Sequence, residues 1–478
     1  MERIHIYLIL TNRVVILGIV LLLEIGFYLS TNFPKLRKKL KKTIFKEYSE
    51  SKYSFFSFFR KIRNKVILMT REVVIVSACR TPIGAFGGSL KKVQAPHLGA
   101  AVMTEAIKRA EIDPNILQDV RFGCCLEPVD ALNVARVSAL LAGIPNTIPA
   151  VTINRVCISG MEATMSGVWQ IQSGVSDAVL VGGMESMSNV PYVVEEARWG
   201  CRLQDKTFKD GLIHGLHAGS HFVKYPNDGA IEWARGKPYI MGLTAEFLAQ
   251  KFNFTREEQD EVALRSHNEA ERANVEGIFD DEMVPITVKD RRKGEIIVSK
   301  DEHFQPGLTM EKLAKLRPAF IPKTGTVTAG NASGINDGAA AMVIMAADKA
   351  KELGLKPLAR FGGFGMGGCE PEHMGLSPVP ATKNLLARTG MNLSDFERIE
   401  INEAFASQYL ACERELGLNR EVTNVHGSGI GLGHPVGCTG ARIMVTLLYE
   451  LIHSGNTKGL ATLCGGGGVS EAVYLERL

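Results

Sequence analysis

Asn154-Arg155-Val156-Cys157-Ile158-Ser159-Gly160-Met161-Glu162-Ala163 is the stretch from which the rest of the chain is read. Cys157 stands just ahead of a run to Gly174 in which Glu162 is the only charge, the pattern of a helix buried on nearly every side. At a helix start, free backbone N–H groups and the positive dipole end favour thiolate over thiol, which a nucleophilic sulfur needs. On this stretch alone a small buried hydrophobe, the ordinary fate of a free cysteine, is an equal reading.

The far end of the chain shifts that balance. Gly433-His434-Pro435-Val436-Gly437-Cys438 places a histidine in a Gly/Pro turn before a second apolar helix, Ile443 to Ile452. Leu460-Ala461-Thr462-Leu463-Cys464-Gly465-Gly466-Gly467-Gly468 runs a strand into another cysteine and four glycines. Ile399-Glu400-Ile401-Asn402-Glu403-Ala404-Phe405 ends a short strand in a polar pair. Two sulfurs, an imidazole and a carboxamide thus each stand at the end of a regular element. The four segments, in this order, resemble the thiolase family, the enzymes that make or break 3-ketoacyl-CoA.

Nine cysteines without a C-x-x-C pair or regular spacing suggest free thiols in a reducing, cytoplasmic setting and neither a disulfide framework nor a metal site. A composition of 45% apolar and 22% charged residues is that of an ordinary globular protein. The net charge of +4 is misleading, because residues 1–68 carry fourteen Lys/Arg against four Glu. The remainder has 41 basic and 47 acidic residues, so nothing points to nucleic acid.

Residues 14–29 form an apolar run followed by the basic cluster Lys35 to Lys42. Three readings fit residues 1–68: sequence upstream of a start at Met69, a membrane anchor, or an organelle-targeting segment. Met69-Thr70-Arg71-Glu72 leads directly into an apolar strand, Val73 to Ser77. Thereafter strands (Val120 to Cys125, Asp177 to Gly183) alternate with helices (Leu98 to Ala110, Asn133 to Leu141), the pattern of a parallel or mixed sheet covered on both faces. From about Asn189 to Phe320 charges, aromatics and prolines become dense. Two amphipathic helices follow there, Glu246 to Phe252 and Glu257 to Asn274, the second opened by a Thr255 to Glu258 capping box. The loop Gly325 to Gly338 is rich in glycine and hydroxyls, so backbone can approach a ligand closely, but it lacks the phosphate-loop pattern.

The halves echo one another: a reactive residue, an apolar helix, a strand, then glycines. A duplicated fold would bring the starts of the two helices together and Cys157 within reach of His434. The resemblance implies an α/β fold of duplicated, thiolase-like halves, with two mixed sheets in a layered α-β-α-β-α arrangement. Divisions are expected at 1–68, 69–188, 189–335 (an inserted loop domain) and 336–478.

The resemblance also implies roles. Cys157 becomes the acylated nucleophile, with His434 accepting its proton; Cys464 is the base that makes the carbanion. Asn402 with a water, and the backbone N–H groups of Cys157 and Gly466, stabilise oxyanions. Ser333 and Met241 touch coenzyme A, and Phe405 lines the acyl pocket. Glu403 is open between a structural and a catalytic role. No metal or prosthetic cofactor is implied, since acetyl-CoA, acetoacetyl-CoA and CoA are substrates, and a homodimer or homotetramer is expected. Cys-Ile-Ser-Gly-Met looks more like the acetoacetyl-forming members than the long-chain degradative ones. A broader-chain 3-ketoacyl-CoA thiolase of fatty acid metabolism is the nearest alternative. A non-catalytic acyl-CoA or lipid carrier on the same scaffold would have no use for two reactive thiols. The chain departs from the family pattern at Ile240, often histidine in short-chain members, in a long His214 to Lys237 segment, and at His426 and Ser428.

Overall fold

The computed structural model describes residues 71–217, 222–290, 292 and 294–478. The expectations for residues 1–68, the 14–29 run among them, lie outside the described residues. Strands β1 (Val73–Arg80), β2 (Gly84–Ala85), β3 (Asp119–Gly123), β4 (Ala150–Ile153) and β5 (Ala178–Ser186) belong to the first half. Two hairpins follow in the inserted segment, β6 (Tyr192–Val193) with β7 (Lys209–Asp210) and β8 (Ile286–Asp290) with β9 (Gly294–Val298). β10 (Asn336–Ala346), β11 (Ala359–Gly368), β12 (Arg398–Ile401), β13 (Lys458–Gly465) and β14 (Val469–Arg477) complete the set.

The duplication is visible in the strand order. One half runs 4-3-5-10-1 and the other 12-13-14-11. In both, a parallel pair (β3 with β5, β12 with β13) is followed by antiparallel neighbours. The two sheets are joined edge to edge where β1 meets β11 across only two residue pairs, Val74 with Arg360 and Ile75 with Ala359. One hydrogen-bonded path therefore runs through both.

Side chains alternate across the strands and sort into layers. Along β10, Ala339, Ala341, Val343 and Met345 enter an outer core beneath the Ala95–Arg109 and Val134–Leu141 helices. Ala340, Met342 and Ile344 face the central core with the Ser159–Gln172 and Val436–Ser454 helices. On β14, Val473 and Leu475 face that same centre, while Ala472 and Tyr474 face the outer helices Pro378–Thr389 and Ala406–Leu416. The order is helix, sheet, paired central helices, sheet, helix. This layering accounts for the two apolar helices, which have sheet on both sides and no solvent face to make polar.

The central helices touch closely at their starts. A Cβ on Gly160 would lie 2.8 Å from the Ala441 backbone nitrogen, and one on Gly440 2.5 Å from that of Met161. Glycine at these two positions lets the backbones meet and draws the Cys157 and His434 turns together.

Candidate active site

Cys157 follows Val156, which is held at φ +51°. Its sulfur is reached by two backbone N–H groups, its own and that of Gly466. The first helical residue is Ser159, so the cysteine stands just before the helix rather than in it. Burial pushes its thiol up to about 11, with the two N–H groups pulling the other way. The expected thiolate at rest is therefore not favoured: desolvation outweighs the helix dipole, and a base is needed.

His434 stands between Gly433, at φ +102°, and Pro435. Its backbone N–H donates to Asn336 Oδ1 at 2.9 Å. Thr439 Oγ1 lies 2.6 Å from His434 Nδ1 and gives its own proton to the Pro435 carbonyl at 2.9 Å. A hydroxyl whose proton is committed must accept from the imidazole, so Nδ1 carries hydrogen and Nε2 keeps a lone pair. Burial, then the charge of Arg442, holds the imidazole down to about 3. Both effects favour the neutral imidazole.

Cys464 closes β13, and burial followed by the nearby Cys157 pushes its thiol far above the usual range. Both sulfurs belong to one apolar cluster with Met241, Phe405 and Met374. Val436 and Ala404, each two residues past His434 and Asn402, belong to it as well. A Cβ on Gly466 would lie 2.5 Å from Met241 Cε and 3.0 Å from Val156 Cγ1, so this glycine is wedged between the Cys157 loop and Met241. Met241 begins the Met241–Phe252 helix, which starts five residues earlier than the sequence pattern suggests because its first turn has no charge to mark it.

Asn402 is fully buried, and neither its side-chain oxygen nor its nitrogen has a protein partner. Leaving both ends unmet costs several kcal/mol in an ordinary core, on the order of 1–3 for each group. Glu403 next to it is fully engaged by Ser266 Oγ and by Asn424 Nδ2 at 2.9 Å, which gives it a structural role. Phe405 stacks edge-on against Phe320, ring centroids 6.3 Å apart. The Ser333 N–H donates to the Ala404 carbonyl at 2.9 Å, laying the Gly325 to Gly338 loop beside the Asn402 segment. Among the described residues no cluster of His, Cys, Asp or Glu is placed to hold a metal, and no helix is long and apolar enough to cross a membrane.

Two supporting residues were not anticipated. Glu185, fully buried at the end of β5, accepts the backbone N–H groups of Cys125 (2.9 Å), Leu126 (3.1 Å) and Gly437 (2.7 Å). It ties the His434 turn to the first half. The signal was a lone acid closing an apolar strand, Val179 to Met184. Asn336, the acceptor for His434, is the other.

The chain as a whole is similar to known proteins. Residues 73–348 match the model for the thiolase N-terminal domain and residues 355–477 that for the C-terminal domain. An acetyl-CoA acetyltransferase of Syntrophomonas wolfei is 46% identical over 412 residues, 86% of this chain and 100% of that protein. The crystal structure of the Bacillus anthracis acetyl-CoA acetyltransferase superposes with a TM-score of 0.80 at 49% identity, covering 86% of this chain and 99% of that one. Human mitochondrial 3-ketoacyl-CoA thiolase gives 0.79 at 41%, covering 85% and 99%. With both domain models matched and the relatives spanned nearly end to end, the chain belongs to the thiolase family.

Proposed function

We propose that the protein is an acetyl-CoA C-acetyltransferase, reversibly joining two acetyl-CoA into acetoacetyl-CoA and CoA. The observation that carries this reading is the sharing of one apolar cluster by Cys157 and Cys464, with the Gly466 N–H on the Cys157 sulfur. A single thiol suffices for acyl transfer. Carbon–carbon bond formation needs a second group to take a proton beside the other carbonyl.

In this reading His434 Nε2 takes the Cys157 proton, and the thiolate attacks the thioester carbonyl. The leaving CoA sulfur recovers that proton. The N–H groups of Cys157 and Gly466, already converging on the sulfur, face the tetrahedral oxygen. Cys464, once the neutral His434 has taken its proton, removes a proton from the methyl of a second acetyl-CoA. The carbanion attacks the acetyl-cysteine and releases the Cys157 thiolate, which recovers a proton from His434. Asn402, whose amide is buried and unmet by protein, holds a water that with His434 stabilises the enolate oxygen. Ser333 and Met241 contact coenzyme A, and Phe405 lines the acyl pocket. Coenzyme A is substrate and leaving group, and every step uses groups of this chain.

The same reading makes the protein a cytoplasmic enzyme working as a homodimer or homotetramer. All nine cysteines are free, which suits a reducing compartment. The human 3-ketoacyl-CoA thiolase among the similar structures keeps a broader chain-length range as the second reading. Thiolysis rates on C4 to C16 3-ketoacyl-CoAs decide between them: acetoacetyl-CoA should be the best substrate, and a preference for C10 or longer would overturn the assignment.

A further inference from the structure

The nucleophile loop is strained. Val156 is β-branched, yet it occupies the left-handed region at φ +51°, a conformation costing about 1–3 kcal/mol that persists only where the surroundings impose it. Two restraints are local. Asn154 Oδ1 accepts the Val156 N–H at 3.0 Å, and Ser159 Oγ accepts the Arg155 N–H at 2.9 Å. These shape the turn but do not fix it against the rest of the site.

The third restraint is not local. Arg155 Nη1 lies 2.6 Å from Glu162 Oε2, on the nucleophile helix, and donates to Glu471 Oε1 at 3.3 Å. Glu471 belongs to β14 and pairs with Leu463, the residue before Cys464. One guanidinium therefore connects the loop of Cys157 to the hairpin that carries Cys464 and Gly466. Val156 Cγ1, one residue on, sits 3.0 Å from where a Cβ on Gly466 would be.

We infer that Arg155 is a positioning residue, clamping the strained Val156–Cys157 turn to the β13–β14 hairpin so that the Gly466 N–H meets the Cys157 sulfur. The inference rests on the site reading above. The Arg155 side chain is partly open to solvent, but the carboxyl of Glu471 is only 2% exposed. The tie is therefore not the weak surface ion pair that salt screens away. Burial, and then the facing carboxylate of Glu162, push the acid form of Glu471 forward.

The test is a double-mutant cycle on the full-length enzyme, reading kcat and KM for acetyl-CoA condensation beside the melting temperature. Arg155→Met should cut kcat about ten- to a hundredfold, as a displacement of about 1 Å at a reacting group does, with KM within about twofold of wild type. Arg155→Lys should recover most of the rate. Glu471→Met should lose a similar amount, and the double variant should be no slower than the slower single one, since both break one tie. If Arg155→Met does not fold, Arg155→Gln is judged by the same criteria. A kcat within about twofold of wild type in the folded variant, or a double-variant loss equal to the product of the single losses, would overturn the clamp. Cys157→Ser is run in parallel. If it turns over normally, the site reading and the clamp fall together; if it is inactive while Arg155→Met is normal, only the clamp falls.

Discussion

His434 and Thr439 form a one-way hydrogen bond: the imidazole Nδ1 proton goes to a hydroxyl 2.6 Å away whose own proton is already given to the Pro435 carbonyl. The arrangement fixes both the ring and its tautomer, and leaves Nε2 with a lone pair that the proposed reaction uses as its base. Thr439→Val should therefore lower kcat about a hundredfold, toward the low end of what a general base contributes, with little change in KM. Thr439→Ser, which keeps the hydroxyl, should retain the rate. Equal activity in the valine and serine variants would show that the tautomer is set by something else.

Asn402 presents an opposite balance of activity and stability. Its buried amide bonds to nothing in the protein, so truncation removes no internal hydrogen bond. Asn402→Ala should lower kcat about a hundredfold, the loss typical of one oxyanion donor, while the melting temperature stays level or rises. A fall in both, in step, would mark the residue as structural.

Acid should destabilise the fold through its buried histidines. Burial holds His434 down to about 3, and burial with the neighbouring His303 holds His267 down to about 4. Both folded values lie below that of a free imidazole. The unfolded chain therefore binds more protons, and the stabilisation is present above about pH 6.5 and lost as pH falls. Glu400, pushed up to about 8 by burial, works in the opposite direction, so the wild-type slope alone decides nothing. The difference between wild type and His267→Gln does. Between pH 7 and 5 wild type should lose about 1–2 kcal/mol more than the variant in urea unfolding, following the slope of about 1.4 kcal/mol per pH unit for one group. Parallel curves would contradict the assignment.

Arg80 is fully buried between Glu282 (2.5 Å) and Asp301 (2.7 Å), joining the end of β1 to the inserted segment. Removing one partner of a buried ion pair leaves charge without compensation. Arg80→Met should cost about 3–5 kcal/mol in unfolding free energy. A loss under about 1 kcal/mol would mean that the two carboxylates neutralise or rehydrate without strain.

The four candidate positions, Cys157, Asn402, His434 and Cys464, stood out in the sequence because each lies at the end of a regular element and is of a residue type that chemistry needs and packing does not. β11 was not legible. Five of its ten residues are glycine, a composition that reads as loop. The structure explains them by close approach: a Cβ on Gly365 would lie 2.3 Å from the Ala381 carbonyl and one on Gly367 2.4 Å from the Ala381 nitrogen, so the strand lies directly against the Pro378–Thr389 helix. Strand β4 was also unmarked, being four residues long and only half-buried. Glu185 was passed over because a buried carboxylate that binds three backbone N–H groups from two turns, Cys125-Leu126 and Gly437, has no local pattern. Those turns meet only in the folded chain.

The central claim is a division of labour between two thiols in one site, Cys157 holding the acyl group and Cys464 moving the proton. The most direct measurement is peptide mass spectrometry on Cys464→Ala after incubation with acetyl-CoA, alongside an assay for acetoacetyl-CoA. The account predicts one acetyl group on the Cys157 peptide and no condensation product. Normal condensation by this variant, or a folded variant in which Cys157 is never acetylated, would contradict it.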